Sequence, residues 1–210
     1  PLSRKGQLQT AMLYDELGNY KNAISTYKEI IKNFPNSAEA RASISGLKNI
    51  YFEQNDIDGY AAYVETLNGL VKFEKSEQDS LTYMAAERQY EKGMYEKAIT
   101  SFGNYINKYP NSGFVHNAHF NIANCYYNLG NKEMAETEYR IIAKQVGYPD
   151  REEALKRLSE ILFDTHRYSA AIETMSTLDT IAQNAENRLA AKIGILRCNN
   201  MLGKSDETIL

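Results

Sequence analysis

Residues 93–112 read GMYEKAITSFGNYINKYPNS, and residues 18–37 read GNYKNAISTYKEIIKNFPNS. The two stretches align without a gap: Gly18 with Gly93, Tyr20 with Tyr95, Ala23 with Ala98, Tyr27 with Phe102, Pro35 with Pro110. Agreement over that length marks an internal repeat, which decides the architecture before any single element is assigned. Three weaker copies emerge from the template. GNKEMAETEYRIIAK starts at Gly130 and keeps Ala135, Tyr139 and Ala143. HRYSAAIETMSTL starts at His166 and keeps Tyr168 and Ala171, with Met175 and Leu178 at the larger positions. NDIDGYAAYVETL starts at Asn55 and departs furthest, with Tyr60 where the others have Ala. A last turn, MLGKSDE, puts Gly203 at the same point, so the anchors 18, 55, 93, 130, 166 and 203 stand 37, 38, 37, 36 and 37 residues apart.

Each residue type suits its place. Ahead of each anchor runs a segment with apolar residues three and four apart, such as Ile122, Ala123, Tyr126 and Leu129, which predicts a helix. The anchor is Gly or Asn in most copies, residues that accept left-handed backbone angles and end helices. A second helix follows, whose small residue (Ala23, Ala98, Ala135, Ala171) lets two helices approach closely. The larger residue four positions on shares its face. Pro35 and Pro110 then stop the second helix.

The order Gly-x-Tyr-x-x-Ala-x-x-x-Tyr/Phe followed by Pro resembles the tetratricopeptide repeat, whose usual period is about 34 residues. The resemblance runs from about Arg4 to Leu210 and is strongest in the first, third and fourth copies. It implies an all-α fold, a right-handed α-α superhelix of antiparallel helix pairs, and the longer period implies about one extra helical turn per pair. On this reading the chain is a single solenoid over 1–210, with repeats at about 4–40, 41–78, 79–115, 116–151, 152–188 and a partial 189–210. The stretch AERQYEKGMYEKAITSFGNYINKYPNSGFVHNAHFNIANCYYNLG is similar, more narrowly, to repeat modules of bacterial cell-envelope proteins. The Tol-Pal coordinator and the lipoprotein of the outer-membrane β-barrel assembly machine are of this type. That likeness implies a periplasmic or outer-membrane-associated location, with a cytoplasmic one as the alternative.

Composition narrows the function classes. The 210 residues carry a formal charge of −3 with acids and bases mixed along the chain, unlike the basic stripe of a nucleic-acid binder. No apolar run reaches the length needed to cross a bilayer. Four Pro against 12 Gly suit a mostly helical chain. The chain opens at Pro1 and closes at Leu210 inside a helical pattern, which reads as a piece of a longer protein.

In a tetratricopeptide solenoid the first helices line the concave side, and the resemblance sets certain of their positions inward. Counting back from the anchors, one column is Phe52, Tyr90, Tyr127 and Phe163. The next is Glu16, Glu53, Glu91, Asn128 and Asp164, and a third is Asn49, Glu87, Asn124 and Glu160. Tyr83 and Phe120 lie one turn earlier. The aromatic column reads either as anchors for a partner, since buried aromatics commonly dominate interfaces, or as helix packing. The acidic column reads either as an edge that attracts a basic peptide or as a solvated face. The family's clamp for a chaperone's carboxylate tail is not expected. Asn124 matches one of its residues, but Phe120 stands where the clamp needs Lys.

Catalytic signatures are absent: there is no nucleophile elbow, phosphate loop or dinucleotide fingerprint. His116, His119 and Cys125 fall near one another in sequence, but a metal site needs three or four convergent ligands. The resemblance makes His119 a packing residue between helices, and His166 stands in for a turn Gly beside a helix end. Cys125 and Cys198 occupy the same small, buried repeat position with a whole helix pair between them, so they are expected to remain thiols. Neither a cofactor nor a metal is expected. The leading expectation is a non-catalytic scaffold that holds a partner protein or peptide along the groove, with no nucleic acid and no membrane insertion. Self-association within a larger repeat protein, or as a homo-oligomer, and a peptide-sensing regulator are the alternatives.

Overall fold

The computed structural model describes residues 3–204, so the last residues of the MLGKSDE turn and the end of the sixth repeat lie outside the described residues. Among these there are eleven helices and no strand. They are α1 (Arg4–Glu16), α2 (Tyr20–Asn33), α3 (Ala38–Glu53), α4 (Ile57–Glu65), α5 (Lys75–Glu91) and α6 (Tyr95–Lys108). α7 (Val115–Asn128), α8 (Lys132–Ala143), α9 (Arg151–Asp164), α10 (Tyr168–Ile181) and α11 (Ala185–Met201) follow. The all-α expectation holds.

Six anchors share one geometry. Gly18, Asn55, Gly93, Gly130, His166 and Gly203 all have positive φ, between 55° and 75°. At five of them the residue after the anchor donates its N–H to a carbonyl five residues back: Asn19 to Tyr14, Asp56 to Tyr51, Asn131 to Tyr126, Arg167 to Leu162 and Lys204 to Asn199, at 2.8–2.9 Å. The anchor itself donates to the carbonyl three back. This is the Schellman closure, which satisfies carbonyls that the helix end would otherwise leave open. The side chains of Asn19, Asp56 and Asn131 then cap the N-termini of α2, α4 and α8. Three residues therefore separate the first helix from the second at every complete anchor: 17–19, 54–56, 92–94, 129–131 and 165–167.

Between one second helix and the next first helix the spacing is uneven. Residues 34–37, 66–74, 109–114, 144–150 and 182–184 make these connections. The extra residues of the long period thus do not form a uniform additional turn in each pair. α5 and α11 are long at 17 residues, whereas α8 has 12 and is followed by a longer connection. Phe34 and Tyr109, the residues ahead of Pro35 and Pro110, leave the helical region at φ −139° and −125° and end α2 and α6.

The chain forms two compact units, residues 1–92 and 93–210, divided inside the third anchor turn. In the first unit, Ala23, Tyr27, Ile31, Leu47, Ile50 and Tyr60 belong to one buried cluster. In the second, Ala135, Tyr139, Leu158, Leu162, Ala171 and Cys198 belong to another. The repeat logic is visible in both. Ala23, Ala98, Ala135 and Ala171 are fully buried, and Tyr27, Phe102, Tyr139 and Met175 lie one turn further along the same faces, buried as well. In the divergent second copy Tyr60 takes the small residue's place. Its ring meets Phe73 edge-on at 5.1 Å and Tyr51 at 6.1 Å, and burial pushes its hydroxyl up to about 12. A tyrosine there keeps α4 from seating closely on α3, and α4 is the shortest helix described.

Candidate functional site

The candidate site residues fall in both units. In the first, α3 and α5 present Phe52, Tyr83, Glu87, Tyr90 and Glu91. Phe52 and Tyr90 are half-buried, but Tyr83 is only 5% exposed and its hydroxyl donates to Glu87 Oε1 at 2.9 Å. Tyr83 belongs to the helix packing, and little of its ring is left for a partner. Glu53 accepts from Lys92 at 2.5 Å and lies 3.6 Å from Arg88, while Arg88 reaches Glu91 at 3.4 Å. The Lys92 ammonium, bonded to it, holds the Glu53 carboxyl below its ordinary range.

In the second unit, α7 and α9 present Phe120, Asn124, Tyr127, Asn128 and Phe163. Asn124 Oδ1 accepts from the buried Tyr139 hydroxyl at 2.6 Å, so this side chain satisfies a polar atom in the core. Phe120 and Tyr127 both meet the same tyrosine edge-on, with centroids 6.1 and 6.4 Å from its ring. Tyr127 also donates to Glu160 at 3.2 Å, and Phe163 meets Tyr168 at 5.4 Å. All four rings of the column, Phe52, Tyr90, Tyr127 and Phe163, are half-buried: one part packs and the other meets solvent.

Two arginines escaped the reading of the sequence. The guanidinium of Arg157 lies 5.0 Å over the Tyr127 ring, and that of Arg197 lies 4.6 Å over Phe163. Each comes from the following first helix, α9 and α11, and each adds a cation–π contact. They occupy different distances from their anchors, so no periodic signal marks them. Their charges, with Lys132 on Asp164 at 2.7 Å and Arg157 on Glu160 at 3.3 Å, change the character of the face. The column expected to be acidic is compensated at Glu53, Glu91 and Asp164. At these three positions the column carries paired charges, not free anions.

The remaining polar candidates have structural partners. His119 Nδ1 lies 2.6 Å from Glu138 Oε2 across α7 and α8, and the His116 ring lies 5.4 Å from that of Tyr148 in a tilted contact. His166 sits at φ 59° with Nδ1 2.7 Å from the Tyr168 hydroxyl. Among the described residues no three His, Cys, Asp or Glu side chains converge as metal ligands would. Cys125 and Cys198 are buried, free thiols, and burial pushes both upward, Cys125 to about 12. No described helix is long and apolar enough to cross a membrane.

Comparison with known proteins follows the same lines. A family model described as "Tetratricopeptide repeat-like domain" matches residues 57–190, and a second, "Tetratricopeptide repeat", matches residues 6–37. The chain belongs to the tetratricopeptide repeat family. No curated protein matches the sequence. Among solved structures, MamA of AMB-1 is similar at a TM-score of 0.52 and 11% identity, over 98% of this chain and 86% of that one. BtubC (BKLC) of P. vanneervenii is similar at 0.52 and 12%, over 99% and 87%. A further structure of MamA gives 0.50 and 15%, over 98% and 86%. At such identities the likeness is one of fold. Tetratricopeptide repeats generally serve as non-catalytic platforms for protein or peptide partners.

Proposed function

We propose that this chain is a non-catalytic scaffold that binds a partner's peptide or helix along its first-helix face, in the envelope of a bacterium. The observation that carries the reading is a half-buried ring near the end of each of four first helices, Phe52 and Tyr90 in the first unit, Tyr127 and Phe163 in the second. A ring held on one side by packing and open on the other loses little freedom on binding, which is what an anchor residue needs. Arg157 and Arg197, stacked on two of these rings, add planar donors suited to a partner's carboxylates and carbonyls. The envelope location, periplasmic or outer-membrane-associated, is supported by the resemblance of residues 86–130 to the repeat modules of the Tol-Pal coordinator and of the β-barrel assembly lipoprotein.

The test is affinity capture from cell-envelope extract with the native chain beside a Tyr90→Ala, Tyr127→Ala double variant of matched stability. A partner retained by the native chain and lost by the variant supports the reading. Equal capture by both would sink it. Self-association is a second reading, favoured by Leu189, Ile193 and Leu196, which lie exposed at 59%, 47% and 49% along one stripe of α11. A mass that stays monomeric at high protein concentration counts against it.

A further inference from the structure

Away from the aromatic column, the first unit opens into a cleft of about 680 Å³ between α2, α4 and the chain that follows α4. Its cations are Lys28 and Lys32, and no Asp or Glu lines it. Ile31, Tyr63 and Leu67 give it an apolar wall, and Asn36 and Asn68 place amide side chains along it. The cleft exists because α4 is short: after Glu65 the chain turns through Asn68 and Gly69, both at positive φ, instead of continuing as helix.

Lys28 is the telling residue. Its Nζ lies 4.5 Å over the Tyr63 ring and 5.7 Å from the Tyr51 ring, and it donates to the Tyr51 hydroxyl at 3.1 Å. It is half-buried, yet no carboxylate lies within ion-pair distance of it among the described residues. Lys48, Lys92 and Lys132 each have one. An ammonium has three donors, and the Tyr51 bond occupies one of them. Lys32 follows one turn later on the same side of α2. The negative end of the α2 dipole offsets part of this charge and leaves the cleft cationic.

We propose that this cleft is a second peptide site, which takes a partner segment carrying a carboxylate beside a bulky apolar side chain. Lys28 and Lys32 receive the carboxylate, the wall of Tyr63 and Leu67 over the buried Ile31 receives the apolar side chain, and Asn36 and Asn68 bond the peptide backbone. A fatty acid shares the anionic and apolar chemistry. However, the cleft is open to solvent rather than enclosed, which would leave part of an alkyl chain in water, whereas the exposed side of a peptide is polar. The site uses none of Phe52, Tyr83, Glu87, Tyr90 or Glu91, so it stands whether or not the first-helix face binds a partner.

Selection of a random octapeptide library on the full chain tests this, with fluorescence anisotropy of the enriched peptides on three variants. The expected set is rich in Asp or Glu next to Leu, Ile or Phe. Leu70→Asp, at a partly exposed lining position that tolerates a polar side chain, places a carboxylate in the cleft and should weaken these peptides about tenfold or more. Lys28→Glu with Lys32→Glu should turn the enriched set basic. If that double variant fails to fold, Leu70→Asp alone decides. The Tyr90→Ala, Tyr127→Ala variant should bind the same peptides unchanged. No enrichment, equal affinity on Leu70→Asp, or displacement of the peptides by palmitate would overturn the proposal.

Discussion

Gly46 and Gly194 both sit inside helices, where glycine is about 1 kcal/mol worse than alanine. Their neighbours make them different. A Cβ on Gly46 would stand 2.6 Å from the Tyr27 ring, which is buried and stiff. A Cβ on Gly194 would meet the tip of Met175, a side chain that bends aside readily. Gly46→Ala is therefore expected to destabilise by about 1–2 kcal/mol despite the better helix propensity. Gly194→Ala should be neutral or slightly stabilising. Urea midpoints of the two variants check this, and equal shifts would refute the packing account. Cys125 permits a second test at the same scale. Its thiol is buried and raised to about 12, with burial first and Glu96 second among the causes. Iodoacetamide at pH 8 should label it only at the rate at which the native chain opens. Rapid labelling in the absence of denaturant would place it at the surface.

At the scale of the element, Glu136 on α8 joins two helices. It pairs with Arg140 on its own helix at 2.8 Å and with Arg167 at the start of α10. The Arg167 hydrogen bonds, with help from Arg140, hold its carboxyl below the ordinary 4.5. A depressed folded value means that the stabilisation is complete above 4.5 and disappears as the pH falls through the folded value. Glu136→Gln should cost about 1 kcal/mol at neutral pH, and the gap from the native chain should close as the pH falls through the depressed folded value. Asp15 and Asp150, raised by burial, act in the opposite sense. They are common to both proteins, so the difference in melting temperature across pH isolates Glu136. A gap that persists at acid pH would show that shape, not charge, is responsible. Helices and turns were largely legible from the residues. Gly and Pro mark chain reversals by their backbone limits, and Ala98 or Ala135 marks a close approach by its size. What escaped was contact between elements. Arg157 over Tyr127 depends on where α9 lies against α7, and no local pattern encodes that. Nor did spacing show that Asn124 serves the buried Tyr139 hydroxyl.

For the whole molecule, the cores of the two units share no residue in their principal clusters. Repeat proteins of this kind draw their stability from each unit and its nearest neighbours. Leu47→Ala, in the fully buried centre of the first unit, should cost about 2–5 kcal/mol. Hydrogen exchange should rise in residues 3–92 and stay nearly unchanged around Leu158 and Leu162. A uniform rise over both units would mean that they unfold as one. The repeats also divide the chain into places that accept a change of length and places that do not. One residue added between Glu16 and Tyr20, or in any of the other three-residue turns, rotates the following helix by about 100° and carries its Ala-Tyr face out of the core. Residues 66–74 and 144–150 impose no such phase on the next helix. Insertions and deletions that arise during descent should therefore collect between helix pairs, and the turns within pairs should keep their length long after their sequences have diverged.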